Sequence, residues 1–362
     1  MNFKNFDTVI DARTPAEYAL DHIPGAVSAP VLDDAQRAEV GTLYKQVSAF
    51  EAKKLGAALV AQNVARHIEQ MFRGKDKGWR PLVYCWRGGK RSGAMAHILR
   101  EVGWDAKTLD GGYRAYRRWV VDELASLPAQ LEFIVVHGPT GSGKSRFLDA
   151  LAQAGEQVLD LEALAAHRGS VLGGLPDEPQ PSQKWFESQL LARLEAFERP
   201  RPVYVEGESK KIGDIQVPEA LMARMRASTC ITLDTDIATR VALLLEEYRH
   251  FLEDRDALNA QLDCLVALHG RERIGEWKAL AAAGRWREFV ERLLVQHYDP
   301  AYRRSSTRNY RQLGAAPSVR IVAAEKAAFD EAAGKIKDVV RNSVVQAGEH
   351  ADVLHGAAAK RA

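Results

Sequence analysis

Phe133-Ile-Val-Val136, then His137, then Gly138-Pro139-Thr140-Gly141-Ser142-Gly143-Lys144-Ser145 is the stretch that decides the fold of the larger part of this chain. Four apolar residues in a row read as a buried strand. The eight that follow His137 meet the G-x-x-x-x-G-K-[ST] spacing of a phosphate-binding loop that opens a helix. Glycines let the backbone wrap closely, successive N–H groups and the helix N-terminus point at phosphate oxygens, and Lys144 adds a cation. The Ser145 hydroxyl is placed to hold Mg²⁺.

Downstream, strand and helix signals alternate: a helix from Ser145, strand Gln157–Leu159, helix Pro181–Phe197, strand Val203–Val205 and strand Cys230–Leu233. That alternation predicts a parallel sheet covered by helices. From Asp236 to about Gln296 the pattern is helical, with Phe289, Val290, Leu293 and Leu294 as an apolar stripe, and it predicts a helical lid or subdomain. Glu206, after its apolar strand, stands where such a protein carries its metal-side acid; a strand-end carboxylate on a surface loop fits equally well.

Upstream, Thr8–Asp11 and Leu82–Tyr84 read as further strands, and Val60, Val64, Ile68 and Met71 recur at helical spacing as a core-facing stripe. The proline-bearing stretch Ser126–Gln130 is the candidate linker. The expected organisation is a domain over 1–127, a second over 128–345 with its helical insertion at about 236–296, and a frayed tail over 346–362.

The chain has 362 residues, 46% hydrophobic and 27% charged, so disorder is excluded as a description of the whole. Its net charge of +2 means that any nucleic-acid site must be local. Three cysteines without a CxxC pair argue against a disulfide framework or a zinc site. With neither a signal peptide nor a membrane span in sight, the expectation is a cytoplasmic protein, and without an exposed heptad seam a monomer.

Cys85-Trp86-Arg87-Gly88-Gly89-Lys90-Arg91-Ser92 starts where a buried strand ends and runs into a helix over Gly93–Glu101. A thiol ringed by backbone N–H groups and facing a helix N-terminus has a depressed pKa and a reactive thiolate. Arg87, Lys90 and Arg91 suit a bound anion. Cys230 and Cys264, in apolar sequence, read instead as core residues.

The first unit resembles a rhodanese domain over roughly residues 5 to 122. Val9-Ile-Asp11-Ala-Arg13, Glu17-Tyr18 and His22-Ile-Pro-Gly25-Ala resemble its opening motifs, Cys85–Ser92 its active loop and Leu109-Asp-Gly-Gly-Tyr113 its closing motif. In common rhodanese loops Arg stands fifth after Cys. Here Lys90 is fifth and Arg91 sixth, a wider loop whose spacing also resembles cysteine phosphatases. The resemblance implies an α/β protein with an N-terminal rhodanese-like domain and a C-terminal P-loop NTPase-like parallel-sheet domain.

That pairing resembles the tRNA 2-selenouridine synthase family along almost the whole chain. Val40-Gly-Thr-Leu-Tyr-Lys45, Leu161-Glu162, His167-Arg168-Gly-Ser170, Glu206-Gly-Glu208-Ser209 and Tyr298-Asp-Pro-Ala-Tyr302 are the other matching stretches. The resemblance implies replacement of sulfur by selenium in the wobble 2-thiouridine of tRNA, with selenophosphate as donor. An S-geranyl intermediate would form from geranyl diphosphate. Cys85 is then expected to carry selenium as a selanylsulfide, residues 86–92 to bind the donor's phosphate and 138–145 to hold the geranyl diphosphate. His167, Arg168, Glu206, Glu208 and Ser209 would stand behind that loop, with Mg²⁺ at Ser145 and Glu206 and no tightly bound cofactor.

For tRNA the candidates are Tyr302, Arg303, Arg304, Arg308 and Tyr310, a stretch that interleaves cations with aromatics, and the similar stretch Tyr113–Trp119. A surface face with its aromatics turned inward fits each of them as well. Lys210-Lys211 would face tRNA or the diphosphate, and His297, without a partner at metal spacing, reads as structural. A selenophosphate-making enzyme is an expected partner. The rival readings are an ATP-dependent sulfurtransferase or kinase-type enzyme, a regulatory phosphate-binding module, and a phosphatase.

Overall fold

The computed structural model describes residues 1–336 except 171, 177, 311 and 312, and without the side chains of 305–309 and 315. The expected tail over 346–362 lies outside the described residues. Two compact units form, one from Met1–Leu127 with Pro181–Ala196, the other from Pro128–Gln180 with Phe197 onward.

In the first unit four parallel strands lie in the order Val27–Ser28, Thr8–Asp11, Pro81–Tyr84 and Lys107–Thr108. Pro81–Tyr84 is buried at every position, as a continuous apolar run in a parallel sheet should be. Helix Ala49–His67 continues into a π-turn over Ile68–Phe72. Val60, Val64 and Ile68 pack on the core as the spacing predicts, but Met71 is exposed and Phe72 takes its place inside. A π-turn holds more residues per turn than an α-helix, so the inward face slips by one position.

Helix Gln183–Ala196 belongs to this first unit, although the sequence places it within the second domain. It is held by an ion pair from Arg117 to Glu187 and by His22, which stacks between Tyr18 and Trp185 at 3.8 and 3.9 Å. The expected linker is structured as well. Helix Gly112–Ser126 passes into a 3₁₀ turn over Leu127–Gln130, and Leu127 is buried.

The second unit has a five-stranded parallel sheet in the order Ser318–Ile321, Thr229–Thr235, Phe133–His137, Val203–Glu206 and Gln157–Leu159. Phe133–His137 is central and fully buried, and the phosphate-binding loop leaves its C-terminal end. Helix Lys144–Gln153 covers the sheet with Phe147, Leu148 and Leu151. Helices run from Ile237 to Asn309, past the expected end of the insertion, around a separate apolar core that includes Phe251, Leu258, Trp277 and Phe289.

Candidate functional site

The cysteine loop sits on a frame built by the opening and closing motifs. Asp11 is fully buried and grips Arg13 through three contacts, the shortest 2.6 Å; it also accepts from the Tyr84 hydroxyl at 2.7 Å. Arg13 donates to the Asp21 carbonyl and lies 3.9 Å from the Tyr113 ring centroid. Tyr113 belongs to the closing motif, whose N–H donates to the Cys85 carbonyl at 2.8 Å. Gly112, at φ +57°, is required there, since a Cβ would lie 2.2 Å from the Cys85 carbonyl oxygen and 2.3 Å from the Gly88 nitrogen.

Cys85 itself is buried, which opposes its ionisation. The Ser92 hydroxyl, 3.2 Å from Sγ, and the N–H groups of Ser92, Gly89 and Arg87 outweigh that penalty and hold the thiol below its usual range. Backbone and hydroxyl, rather than side-chain cations, produce the effect. Arg91 donates to Glu17 at 2.7 Å, while Trp86, Arg87 and Lys90 are exposed. Among the other cysteines, Cys230 is buried as expected. Cys264 is exposed, because it follows helix Arg255–Asp263 on the side away from Leu258 and Leu262.

In the second unit the phosphate-binding loop lines a cup together with Glu162, Arg168, Gly207, Glu208, Ser209 and Tyr302. Lys144 Nζ donates to the Gly138 carbonyl at 3.4 Å, which holds the ammonium over the loop. The first N–H groups of helix Lys144–Gln153 have no partner within the helix and face the same cup. Arg168 donates to the Glu247 carbonyl at 2.7 Å and covers the Tyr248 ring.

The acid facing Ser145 is Glu162, which accepts from its hydroxyl at 3.2 Å. Glu206, the expected metal-side acid, instead accepts the N–H groups of Leu161 and Glu162 at 2.5 and 2.8 Å through Oε1, and so caps a short helix. Burial first, then the neighbouring Glu208, pushes Glu162 up to about 8. Burial also raises Glu206 and Glu208. Raised in this way, the three carboxyls oppose the Lys144 charge less than free carboxylates would, which favours an anion in the cup. Among the described residues no three His, Cys, Asp or Glu side chains converge in a way suited to a metal ion.

A match to the tRNA 2-selenouridine synthase AAA domain covers residues 131–265, and one to the rhodanese-like domain covers 1–118. The tRNA 2-selenouridine synthase of Bdellovibrio bacteriovorus is 32% identical over 343 residues, covering 83% of this chain and 89% of that protein. The chain belongs to the tRNA 2-selenouridine synthase family. The Nitrosomonas europaea synthase is 39% identical over 244 residues, and that match spans 66% of this chain and 63% of its relative, just under two thirds. The Alcanivorax borkumensis synthase is 33% identical over 332 residues, covering 83% of this chain and 90% of that protein.

Several residues singled out in the sequence stand elsewhere. Tyr310 is no exposed stacking platform: it is buried with its ring 4.2 Å from that of His137, so its aromatic face packs the sheet end. Tyr302 lines the phosphate cup; Arg303 and Arg304 are exposed, and the Arg308 side chain lies outside the described residues. Tyr113 and Tyr116 are buried too. Lys210 and Lys211 pair with Glu219 and Asp214, not with the cup. His167, behind the cup, takes the Gly169 N–H on Nδ1 at 3.1 Å. His297 does have a partner, His269, at 2.8 Å, and it lines the cup.

Sequence reasoning also gave no role to Glu162, the carboxyl that faces Ser145, although it lies in a stretch that matches the family. It missed His137 beneath the loop, buried with neither ring nitrogen bonded and held down to about 4 by burial and by Lys144.

Proposed function

We propose that this protein replaces sulfur by selenium at C2 of the wobble 2-thiouridine of tRNA, with selenophosphate as donor and an S-geranyl intermediate on the way. The observation that carries the selenium half is the Cys85 loop, in which a thiol is held below its ordinary pKa by N–H groups and the Ser92 hydroxyl. Those donors suit the phosphoryl oxygens of selenophosphate, with the thiolate at their centre to engage the donor.

The phosphate cup supplies the other half. A thiocarbonyl sulfur is a poor leaving group until it is alkylated. Sulfur attacks C1 of geranyl diphosphate, the C1–O bond breaks and diphosphate leaves with the bonding pair, while the N3 proton is lost. Lys144 and the loop N–H groups stabilise the charge that develops on the leaving group. Selenium of selenophosphate then adds at C2, geranylthiolate departs with the C2–S bonding pair, and water cleaves the Se–P bond to release phosphate.

Glu206 commits Oε1 to two backbone N–H groups, while its buried Oε2 has no hydrogen-bond partner and is the oxygen it would offer a cation. A cation on Ser145 would draw on the Ser145 hydroxyl, that oxygen and phosphate oxygens. A tRNA substrate and a selenophosphate donor support a cytoplasmic reaction that follows an enzyme making selenophosphate.

The test is nucleoside mass spectrometry of 2-thiouridine tRNA incubated with the protein and both donors, each also omitted in turn. Geranylated nucleoside without selenophosphate and selenated nucleoside with it are expected. Unchanged thiouridine with robust ATP turnover would replace this reading with an ATP-dependent sulfur transfer.

A further inference from the structure

The phosphate-binding loop is gripped from behind by two buried side chains that do not line the cup. Arg240, on helix Ile237–Glu247, donates to the Thr140 carbonyl through Nε at 3.0 Å and Nη2 at 2.8 Å. Thr235, at the end of strand Thr229–Thr235, donates from its hydroxyl to the Ser142 carbonyl at 2.9 Å.

A trans peptide is planar, and its C=O and N–H point in opposite directions. Holding the Thr140 carbonyl back therefore turns the Gly141 N–H forward, and holding the Ser142 carbonyl does the same for the Gly143 N–H. Both glycines line the cup, and neither N–H has a protein acceptor among the described residues. Both also sit at positive φ, +77° and +84°, in a residue type whose backbone moves easily. A peptide that swung round there would present a carbonyl oxygen to a phosphate in place of an N–H.

Arg240 is itself held. Its Nη1 and Nη2 donate to the two carboxylate oxygens of Asp299 at 3.1 and 2.6 Å, so its charge is balanced and its planar fork is fixed. Asp299 follows Tyr298 and opens helix Asp299–Asn309, which carries Tyr302, and both tyrosines line the cup.

We infer that Arg240 and Thr235 are positioning residues of the phosphate cup: from outside it they set the direction of the Gly141 and Gly143 N–H groups, and through Asp299 the Arg240 fork ties that direction to the seating of the helix that carries Tyr302. This rests on the reading of the cup as a diphosphate site and adds to it what keeps the site formed. Anion binding and helix seating are then linked in both directions.

Calorimetry of the full-length protein with inorganic diphosphate provides the test. Arg240→Lys keeps the charge but loses the fork, and is expected to weaken diphosphate at least tenfold. Thr235→Val removes one hydroxyl and is expected to weaken it at least threefold. Leu262→Ala is the control for a merely structural role: it removes packing from the apolar core of the same helical insertion and should leave the affinity within twofold. In glycine-labelled protein, the Gly141 amide NMR signal is expected to move when diphosphate is added to the wild type and to move less than half as far in Arg240→Lys.

Affinities within twofold of the wild type in both Arg240→Lys and Thr235→Val would overturn the inference, as would a loss in Leu262→Ala equal to that in Arg240→Lys. Should Arg240→Lys fail to fold, hydrogen exchange of the wild type decides. Diphosphate is expected to slow exchange in helices Ile237–Glu247 and Asp299–Asn309 more than in Arg255–Asp263, and equal or absent slowing would overturn the link. A wild type that binds neither inorganic nor geranyl diphosphate would instead remove the diphosphate reading on which the inference depends.

Discussion

The two anion-facing loops of this protein solve opposite problems with the same backbone. Around Cys85, N–H groups and the Ser92 hydroxyl stabilise a negative charge that belongs to the protein. Around Lys144, N–H groups and an ammonium await a negative charge brought by the ligand, and burial raises the nearby acids so that they compete less for it. The difference shows that a ring of N–H groups fixes only the sign of what is bound; whether it is a nucleophile or a leaving group depends on the side chain at the centre.

Cys85→Ser breaks the comparison most severely. An alkoxide does not form under a donor set that suits a thiolate, so selenated nucleoside should fall by about 10³-fold or more, as loss of an enzyme's nucleophile does. Geranylated nucleoside should persist at near wild-type levels, and nucleoside mass spectrometry reads both. Equal loss of both products would show that the two loops do not divide the chemistry.

Asp11→Ala tests the frame rather than the chemistry. It leaves the Arg13 guanidinium buried without its carboxylate, and removing one partner of a buried pair costs about 3 kcal/mol or more. Urea unfolding of the full chain should show the first unit destabilised by that amount; a change under 1 kcal/mol would show that the Asp21 carbonyl alone satisfies Arg13. Lys144→Ala should then lower geranyl transfer by about 10²-fold, the usual cost of one charge-stabilising donor. Selenation of tRNA that already carries the S-geranyl group should be spared.

Both loops were legible in the sequence because each is a contiguous motif whose function resides in the backbone. The strand at Phe133, the loop at Gly138–Ser145 and Cys85–Ser92 needed no long-range knowledge. The rest depended on such contacts. The π-turn at Ile68–Phe72 moves Phe72 into the core in place of Met71, and no local spacing announces it. Tyr310 reads as a stacking surface, but His137, 173 positions earlier in the chain, packs against its ring. The small apolar cavity beside the phosphate-binding loop draws its walls from Thr140, Leu172, the Leu244–Leu258 region and Trp286–Tyr298, so no single stretch of sequence contains it. Strand position points to Glu206, but the carboxyl that bonds the Ser145 hydroxyl is Glu162, on a short helix that the strand pattern does not mark.

Glu162 gives the smallest effect and the sharpest test of how the phosphate cup stays receptive. Its carboxyl, pushed up to about 8 by burial and by Glu208, is protonated at neutral pH and becomes negative as the pH rises through that value. Ionisation puts a like charge beside a bound diphosphate, so affinity should fall above pH 8 and hold below it. A repulsion of about 1 kcal/mol corresponds to roughly a fivefold loss. Diphosphate binding measured by calorimetry at pH 6.5, 7.5 and 9 should show that fall in the wild type relative to Glu162→Gln, whose neutral amide cannot ionise. The ratio of the two cancels the titration of diphosphate itself. A ratio that stays constant with pH would mean that Glu162 is already charged at neutrality, and that Lys144 and the loop N–H groups alone hold the anion against it.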